Sequence, residues 1–232
     1  MSDKVEFTSY MTGPEKVRAI GYLPLHIVVL PLMTSAAILR GRVTAAQANL
    51  LIYAIGAIYM IFFMTAFLRR EFDSFCDRPA YCIKEIALSF AMIILCNIVI
   101  NGLLLMIGFG ENPNNSAVLD MVEDSSDNMT AAVLFMAPII EEISFRGGIF
   151  AALYKKSRFI AYVMTVGFFS LYHVWGYAII NPWNWVYLLQ YIPLSYIICR
   201  CYERTNSVCA TILLHAINNG FALAASNLLG GL

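Results

Sequence analysis

One run of this chain reads Ile140-Glu141-Glu142-Ile143-Ser144-Phe145-Arg146-Gly147-Gly148. On a helix, Glu142 and Arg146 stand four apart and share a face, with the acid N-terminal to the base in the favoured order. Glu141 sits about 100° round the helix and has no such partner. An unpaired carboxylate is the better candidate for a general base, so Glu141 is read as catalytic and Glu142 with Arg146 as structural support. Two of the three histidines, His173 and His215, lie in other apolar stretches, and Asn219 follows His215 by four. His215 and Asn219 therefore face one cavity from a single helix.

The elements that carry these groups are set by composition. Of 232 residues, 60% are hydrophobic and only 13% charged, and the mean hydropathy is +0.70. A soluble domain carries about 25% charged residues. So little charge excludes a soluble enzyme, a disordered tail and a coiled coil. Lys+Arg and Asp+Glu balance at 15 each, which leaves no polyanion-binding field and no nucleic-acid partner. The expected class is all-α: a polytopic transmembrane helix bundle in the cell membrane, with lipid as its first partner.

A helix needs roughly 20 apolar residues to span the hydrocarbon core. Seven stretches qualify, approximately Val17–Leu39, Ala48–Leu68, Ile86–Phe109, Thr130–Tyr154, Phe159–Ile180, Pro182–Cys201 and Ser207–Leu229. Pro193 and Gln190 interrupt the sixth. Counted at 1.5 Å per residue from the cytoplasmic ends, Glu141, His173, His215 and Asn219 lie at about 20, 21, 12 and 18 Å, near one depth. An ionisable group at mid-membrane costs about 2.5–3.5 kcal/mol even on the lenient scale, so the coincidence marks a site.

Orientation follows from the bases. Lys4, Lys16, Arg18, Arg69, Arg70, Arg78, Lys84, Lys155, Lys156, Arg158, Arg200 and Arg204 fall on one side; Arg40 and Arg42 fall on the other. The positive-inside rule puts the first group in the cytoplasm, with the N-terminus in and the C-terminus out. The chain then divides into a cytoplasmic segment (1–16), three spans (17–109), an outward acidic loop (110–129) and a four-span core (130–232). The loop holds Glu111, Asp120, Glu123, Asp124 and Asp127 with no base, and Trp183 and Trp185 fall in the next outer connection. Its Asn114-Asn115-Ser116 triplet, like Asn128-Met129-Thr130, matches a glycosylation sequon.

Plainer readings apply to other residues. His26, between Pro24 and Pro31, reads as a hydrogen-bonded packing residue, and Asn97 and Asn101 as interhelical hydrogen-bonders. Phe168, Phe169 and Met164 read as lining or lipid-facing filler. The six cysteines show no C-x-x-C spacing and read as reduced thiols, with Cys199-x-Cys201 as half a metal site the alternative.

At this point the chain resembles the CAAX-processing and bacteriocin-processing (CPBP) intramembrane proteases. That family shows E-E-x-x-x-R with Phe before the Arg and Gly after it, and Glu141 to Gly147 fits each position. F-x-x-x-H is matched by Phe169 to His173, and H-x-x-x-N or D by His215 to Asn219, in the family's order and each on its own span. The similarity covers roughly Thr130–Gly220 and leaves the first three spans unconstrained. It implies hydrolysis of a peptide bond within the membrane, in a membrane-associated protein or peptide: a CAAX protein, a bacteriocin or a pheromone precursor. By the resemblance, Glu141 and His173 hold and activate the water while His215 and Asn219 stabilise the oxyanion. The family has also been treated as metalloproteases, and Glu141, His173 and His215 have the donor types of a His₂Glu zinc site. Such a site needs a further base, and the spare, Glu142, is committed to Arg146. A mechanism without a cofactor is therefore expected, with Zn²⁺ as the alternative.

Two rival functions use the same cluster: a proton-coupled transporter and a non-catalytic immunity or binding protein. Transporters of this kind show paired halves with matching broken helices, which these seven stretches do not. Intact motifs speak against an inert relative.

Overall fold

The computed structural model describes residues 6–230, without the side chains of 124–127, 227, 229 and 230. Asp3 and Lys4, counted with the N-terminal segment, and the side chains of Asp124 and Asp127 lie outside the described residues. The described chain is all-helical. Helix α1 runs Gly13–Leu39 and is π-helical over Leu25–Val29. Then come α2 (Ala45–Phe63), α3 (Thr65–Cys76), α4 (Pro79–Met106) and α5 (Pro113–Ala131). A composite stretch continues from α5: a π-helical Ala132–Met136, α6 (Ala137–Glu141), a π-helical Glu142–Phe150, and α7 (Ala151–Tyr154). The chain ends with α8 (Arg158–Ile180), a 3₁₀ turn (Pro182–Tyr187), α9 (Leu188–Thr205) and α10 (Val208–Gly230).

Local chemistry starts and stops these helices. Thr44 and Gln47 form a reciprocal capping box at the head of α2, with Gln47 N donating to Thr44 Oγ1 at 3.1 Å and Thr44 N to Gln47 Oε1 at 3.0 Å. Ser157 accepts from Ile160 N to start α8. Asn206, at φ 51°, takes the left-handed conformation that ends α9. Glu71 of α3 reaches the next helix: its Oε2 accepts from Val208 N, the first residue of α10, at 2.6 Å.

Five helices among the described residues are long and apolar enough to cross a membrane: α1, α2, α4, α8 and Val208–Ser226 of α10. The fourth and sixth stretches expected from sequence are not among them. The fourth carries Glu141, Glu142 and Arg146 and is divided into short α- and π-helical pieces. The sixth begins its α-helix only at Leu188, after the 3₁₀ turn, and carries Gln190, Arg200, Glu203 and Arg204. The outer surface is apolar, with Leu32, Met33, Ile58, Phe62, Leu95, Ile98 and Ile179 all exposed. The charged groups Glu141, Glu142 and Arg146 are inside instead. That inversion suits a lipid environment.

The acidic stretch 110–129, expected as a loop, is helical from Pro113 onward. Asn112 caps it, accepting from Asn114 N at 3.0 Å, and Pro113 stands at the first position, where its missing N–H costs nothing. Its Val118, Met121 and Val122 pack with Leu50 and Tyr53 of α2 around Met129. Asn114 does not project as a free sequon: it is half-buried and its amide donates to Tyr191.

Candidate active site

The composite stretch after α5 forms the floor of the site. Ala137 N turns to Ala132 O, one residue further back than in an α-helix, and Pro138 has no N–H to offer the next carbonyl, that of Val133. Helical irregularity of this kind is frequent at functional positions. It places Glu141 and Glu142 in the bundle interior, 4% and 0% exposed.

Arg146 is also fully buried. Its Nη1 donates to Glu142 Oε1 at 2.9 Å. Its Nη2 donates to Ser195 Oγ at 3.1 Å and lies 3.3 Å from the Ser195 carbonyl. The guanidinium lies over the Phe169 ring at 4.3 Å. A buried cation is tolerable only when paired and hydrogen-bonded in this way.

Both histidines are held at Nδ1. His173 Nδ1 faces the Phe169 carbonyl at 2.9 Å, and His215 Nδ1 faces Glu142 Oε1 at 2.8 Å. Each neighbour is an acceptor, so each Nδ1 carries hydrogen and each Nε2 is turned inward. There they flank Glu141: its Oε2 lies 3.7 Å from His173 Nε2 and 4.0 Å from His215 Nε2. Those separations are too long for a direct hydrogen bond and suit a shared small polar guest. Glu141 Oε2 is buried without a hydrogen-bond partner of its own.

The structure thus brings together Glu141, Glu142, Arg146, His173 and His215. It does not bring in Asn219 by the same route. Asn219 Nδ2 donates 3.0 Å to the Val133 carbonyl, the group that Pro138 leaves without a helical partner. The four-residue spacing from His215 puts Asn219 on the right helix, but the proline-freed carbonyl engages one of its amide hydrogens. Glu142, read as a partner of Arg146 alone, has a second task in holding His215.

Sequence reasoning missed Tyr191 and Ser195. Both are on α9, four apart and so on one face, in the stretch that Pro193 made look weakest. Tyr191 stacks on His173 with ring centroids 4.6 Å apart and planes at 21°. Phe169, read as lining, is fully buried and serves both Arg146 and His173. Phe168 and Met164 are exposed. His26 packs as expected among Tyr22, Tyr53 and Tyr172, its Nε2 3.3 Å from the Tyr172 hydroxyl. Asn101 hydrogen-bonds between helices, accepting from Gln190 at 2.6 Å.

Zinc at about 2.0–2.1 Å from each ligand would put neighbouring donor atoms roughly 3.4 Å apart. The two Glu141–histidine separations are wider than this. Among the described residues, no three His, Cys, Asp or Glu side chains come together as a set able to hold a metal ion. The cysteines are free thiols, and Cys199 and Cys201 are buried.

Comparison with known proteins adds the kinship. Residues 128–221 match the family described as type II CAAX prenyl endopeptidase, Rce1-like. That match supports the resemblance to the CPBP proteases over this region. A 114-residue stretch, 49% of this chain, is 29% identical to "Putative membrane peptidase YdiL" of Bacillus subtilis (strain 168) and covers 43% of it. A 94-residue stretch, 40% of this chain, is 31% identical to "UPF0177 protein YxdF" of Lactococcus lactis subsp. lactis (strain IL1403) and covers 48% of it. The chain spans about half the length of the curated relatives it matches. No solved structure matches it. The matched region contains Glu141, Glu142, Arg146, His173, His215 and Asn219, and the similarity and the apolar helices together make this a multi-pass membrane protein.

Proposed function

We propose that this chain is an intramembrane endopeptidase that hydrolyses a peptide bond of a membrane-associated protein or peptide, such as a CAAX-type protein or a bacteriocin or pheromone precursor. The observation that carries the reading is the Glu141 carboxylate, buried and flanked at 3.7 and 4.0 Å by two inward-turned imidazole nitrogens. A water between Glu141 Oε2 and His173 Nε2 donates a hydrogen to each. Glu141 takes one proton as the water oxygen bonds to the carbonyl carbon, and the carbonyl oxygen becomes the oxyanion. Glu141 then returns that proton to the leaving nitrogen as the C–N bond breaks.

His215 enters this scheme through Glu142. A neutral His215 whose only hydrogen is on Nδ1 cannot donate from Nε2, so its oxyanion role requires a hydrogen on both ring nitrogens, with Glu142 Oε1 accepting the one on Nδ1. Asn219 contributes through its second amide hydrogen, the first being fixed on Val133. No metal step is invoked.

The chain crosses the membrane seven times in this reading, N-terminus in and C-terminus out. The composite stretch from Ala132 to Tyr154 and the segment Pro182–Cys201 supply the two crossings whose polar content serves the site.

The test is cleavage of a panel of membrane-anchored fluorogenic peptides, prenylated and unprenylated, by the purified chain in lipid nanodiscs. We expect cleavage of at least one by the wild type and none by Glu141→Gln. Failure of the wild type on the whole panel, or equal cleavage by Glu141→Gln, would overturn the reading.

A further inference from the structure

His173 is enclosed by three aromatic rings. Phe169 (centroids 4.5 Å apart, planes at 41°) and Tyr172 (4.8 Å, 78°) come from its own helix, α8. They are present wherever α8 forms. The third ring is different in origin and geometry: Tyr191 comes from α9 and lies nearly parallel to the imidazole, at 4.6 Å and 21°.

The far end of Tyr191 is anchored as well. Its hydroxyl oxygen accepts from Asn114 Nδ2 at 3.0 Å and from Asn112 Nδ2 at 3.3 Å, and it donates to Asn115 Oδ1 at 3.4 Å. Asn112 also donates to Gln190 Oε1 at 2.5 Å, and Gln190 in turn donates to Asn101 of α4 at 2.6 Å. The start of α5 is thus tied through side chains to α9 and α4. A Tyr buried at one end and hydrogen-bonded at the other is a rigid wedge with few rotamers to lose.

We propose that Tyr191 is a positioning residue for His173, its ring closing the face of the imidazole that α8 leaves open and so keeping Nε2 aimed at Glu141. The Phe169 carbonyl fixes which nitrogen carries hydrogen, while Tyr191 fixes the plane of the ring; both are needed to set the direction of one lone pair. The proposal rests on the hydrolytic reading of His173. It adds to that reading a residue on α9 and an anchor, Asn112 and Asn114, outside the matched region 128–221.

Two measurements test it on the full chain in detergent or nanodiscs. The first needs no substrate: diethyl pyrocarbonate modification of His173, read by peptide mass spectrometry against the exposed Lys156 as internal reference. Tyr191→Leu, which removes the ring, is expected to raise the His173 rate severalfold, and Tyr191→Phe, which keeps it, to leave the rate near wild type. The second is turnover of a reporter peptide cleaved by the wild type. Tyr191→Leu should lower kcat on the order of 10- to 100-fold, the scale of a misplacement by about 1 Å, with KM little changed. Tyr191→Phe should recover most of the loss.

A folded Tyr191→Leu with wild-type His173 reactivity or wild-type kcat would overturn the proposal, as would a Tyr191→Phe impaired as deeply as Tyr191→Leu. Should Tyr191→Leu not fold, Tyr191→Met takes its place: it fills much of the same space without a ring. An unchanged His173 rate there would be equally fatal. If the wild type cleaves no peptide, the hydrolytic reading fails while the modification rates still report on Tyr191.

Discussion

His215 Nδ1 donates to Glu142 Oε1 across 2.8 Å, and the same oxygen accepts Arg146 Nη1 at 2.9 Å. Glu142 therefore couples a fully buried cation to a site histidine. Glu142→Gln would leave Arg146 charged in a low-dielectric interior, at a cost of about 3–5 kcal/mol. It would also offer His215 Nδ1 a weaker acceptor. We expect the purified Glu142→Gln protein to melt well below wild type, while Glu141→Gln, whose carboxylate lacks an ion-pair partner within hydrogen-bond reach, stays folded. Thermal unfolding curves of both variants in one detergent decide it. A stable Glu142→Gln beside a destabilised Glu141→Gln would reverse the assignment.

Much of the site was legible because its chemistry is local. Glu142 and Arg146 pair through a four-residue spacing that any helix provides, and the convergence of Glu141, His173 and His215 follows from the cost of ionisable groups in lipid. What was not legible came from breaks in helical regularity and from partners far away in sequence. The Val133 carbonyl that draws Asn219 is free only because Ala137 N takes the π-helical bond and Pro138 has none to give. Tyr191 and Ser195 meet His173 and Arg146 across helices, and no spacing in the sequence reports that. The stretch 110–129, read as the outward connection between spans, is helical from Pro113, and Val118, Met121 and Val122 pack on α2, a contact that no spacing in the sequence reports.

Orientation gives a second prediction. The twelve-to-two division of bases puts the Tyr154–Phe159 connection in the cytoplasm and the 110–129 stretch outside. In a cysteine-free variant, Lys156→Cys and Asp120→Cys place thiols at exposed positions on the two sides. An impermeant maleimide applied to intact cells should label position 120 and label 156 only after permeabilisation. The opposite pattern would invert the topology.

Glu71, outside the spanning helices, predicts a pH dependence of stability. It is fully buried, its Oε2 accepts from Val208 N at 2.6 Å, and its Oε1 lies 3.5 Å from the Tyr202 hydroxyl. Burial pushes its pKa from the ordinary 4.5 up to about 8, against the smaller lowering effect of those hydrogen bonds. Below 4.5 the folded and unfolded chains both hold the proton, and Glu71 makes no difference between them. Between 4.5 and about 8 the unfolded chain has released it and the folded chain has not, so stability falls as pH rises through that window. Melting temperatures measured across the window should decline for wild type, and the decline should flatten in Glu71→Gln. An identical slope in the two proteins would exclude Glu71 as its source.

The last prediction concerns metal. Glu141 Oε2 stands 3.7 and 4.0 Å from the two Nε2 atoms, wider than the roughly 3.4 Å that common ligation of zinc would impose. Glu142, the carboxylate that would have to act as base beside such an ion, is occupied by Arg146 and His215. Without a metal, the carboxylate and His173 activate water themselves, and exhaustive chelation should leave turnover of a reporter peptide intact. Asn219→Ala should then lower kcat by about 10²–10³, the usual effect of losing one oxyanion donor, with KM little changed because the contact forms in the transition state. A zinc enzyme would respond otherwise: chelation would silence it, added zinc would restore it, and His215→Ala would lose the ion. Elemental analysis of the active protein is the direct measurement, and one zinc per chain, lost and regained in step with activity, would make Glu141, His173 and His215 ligands and end the metal-free mechanism.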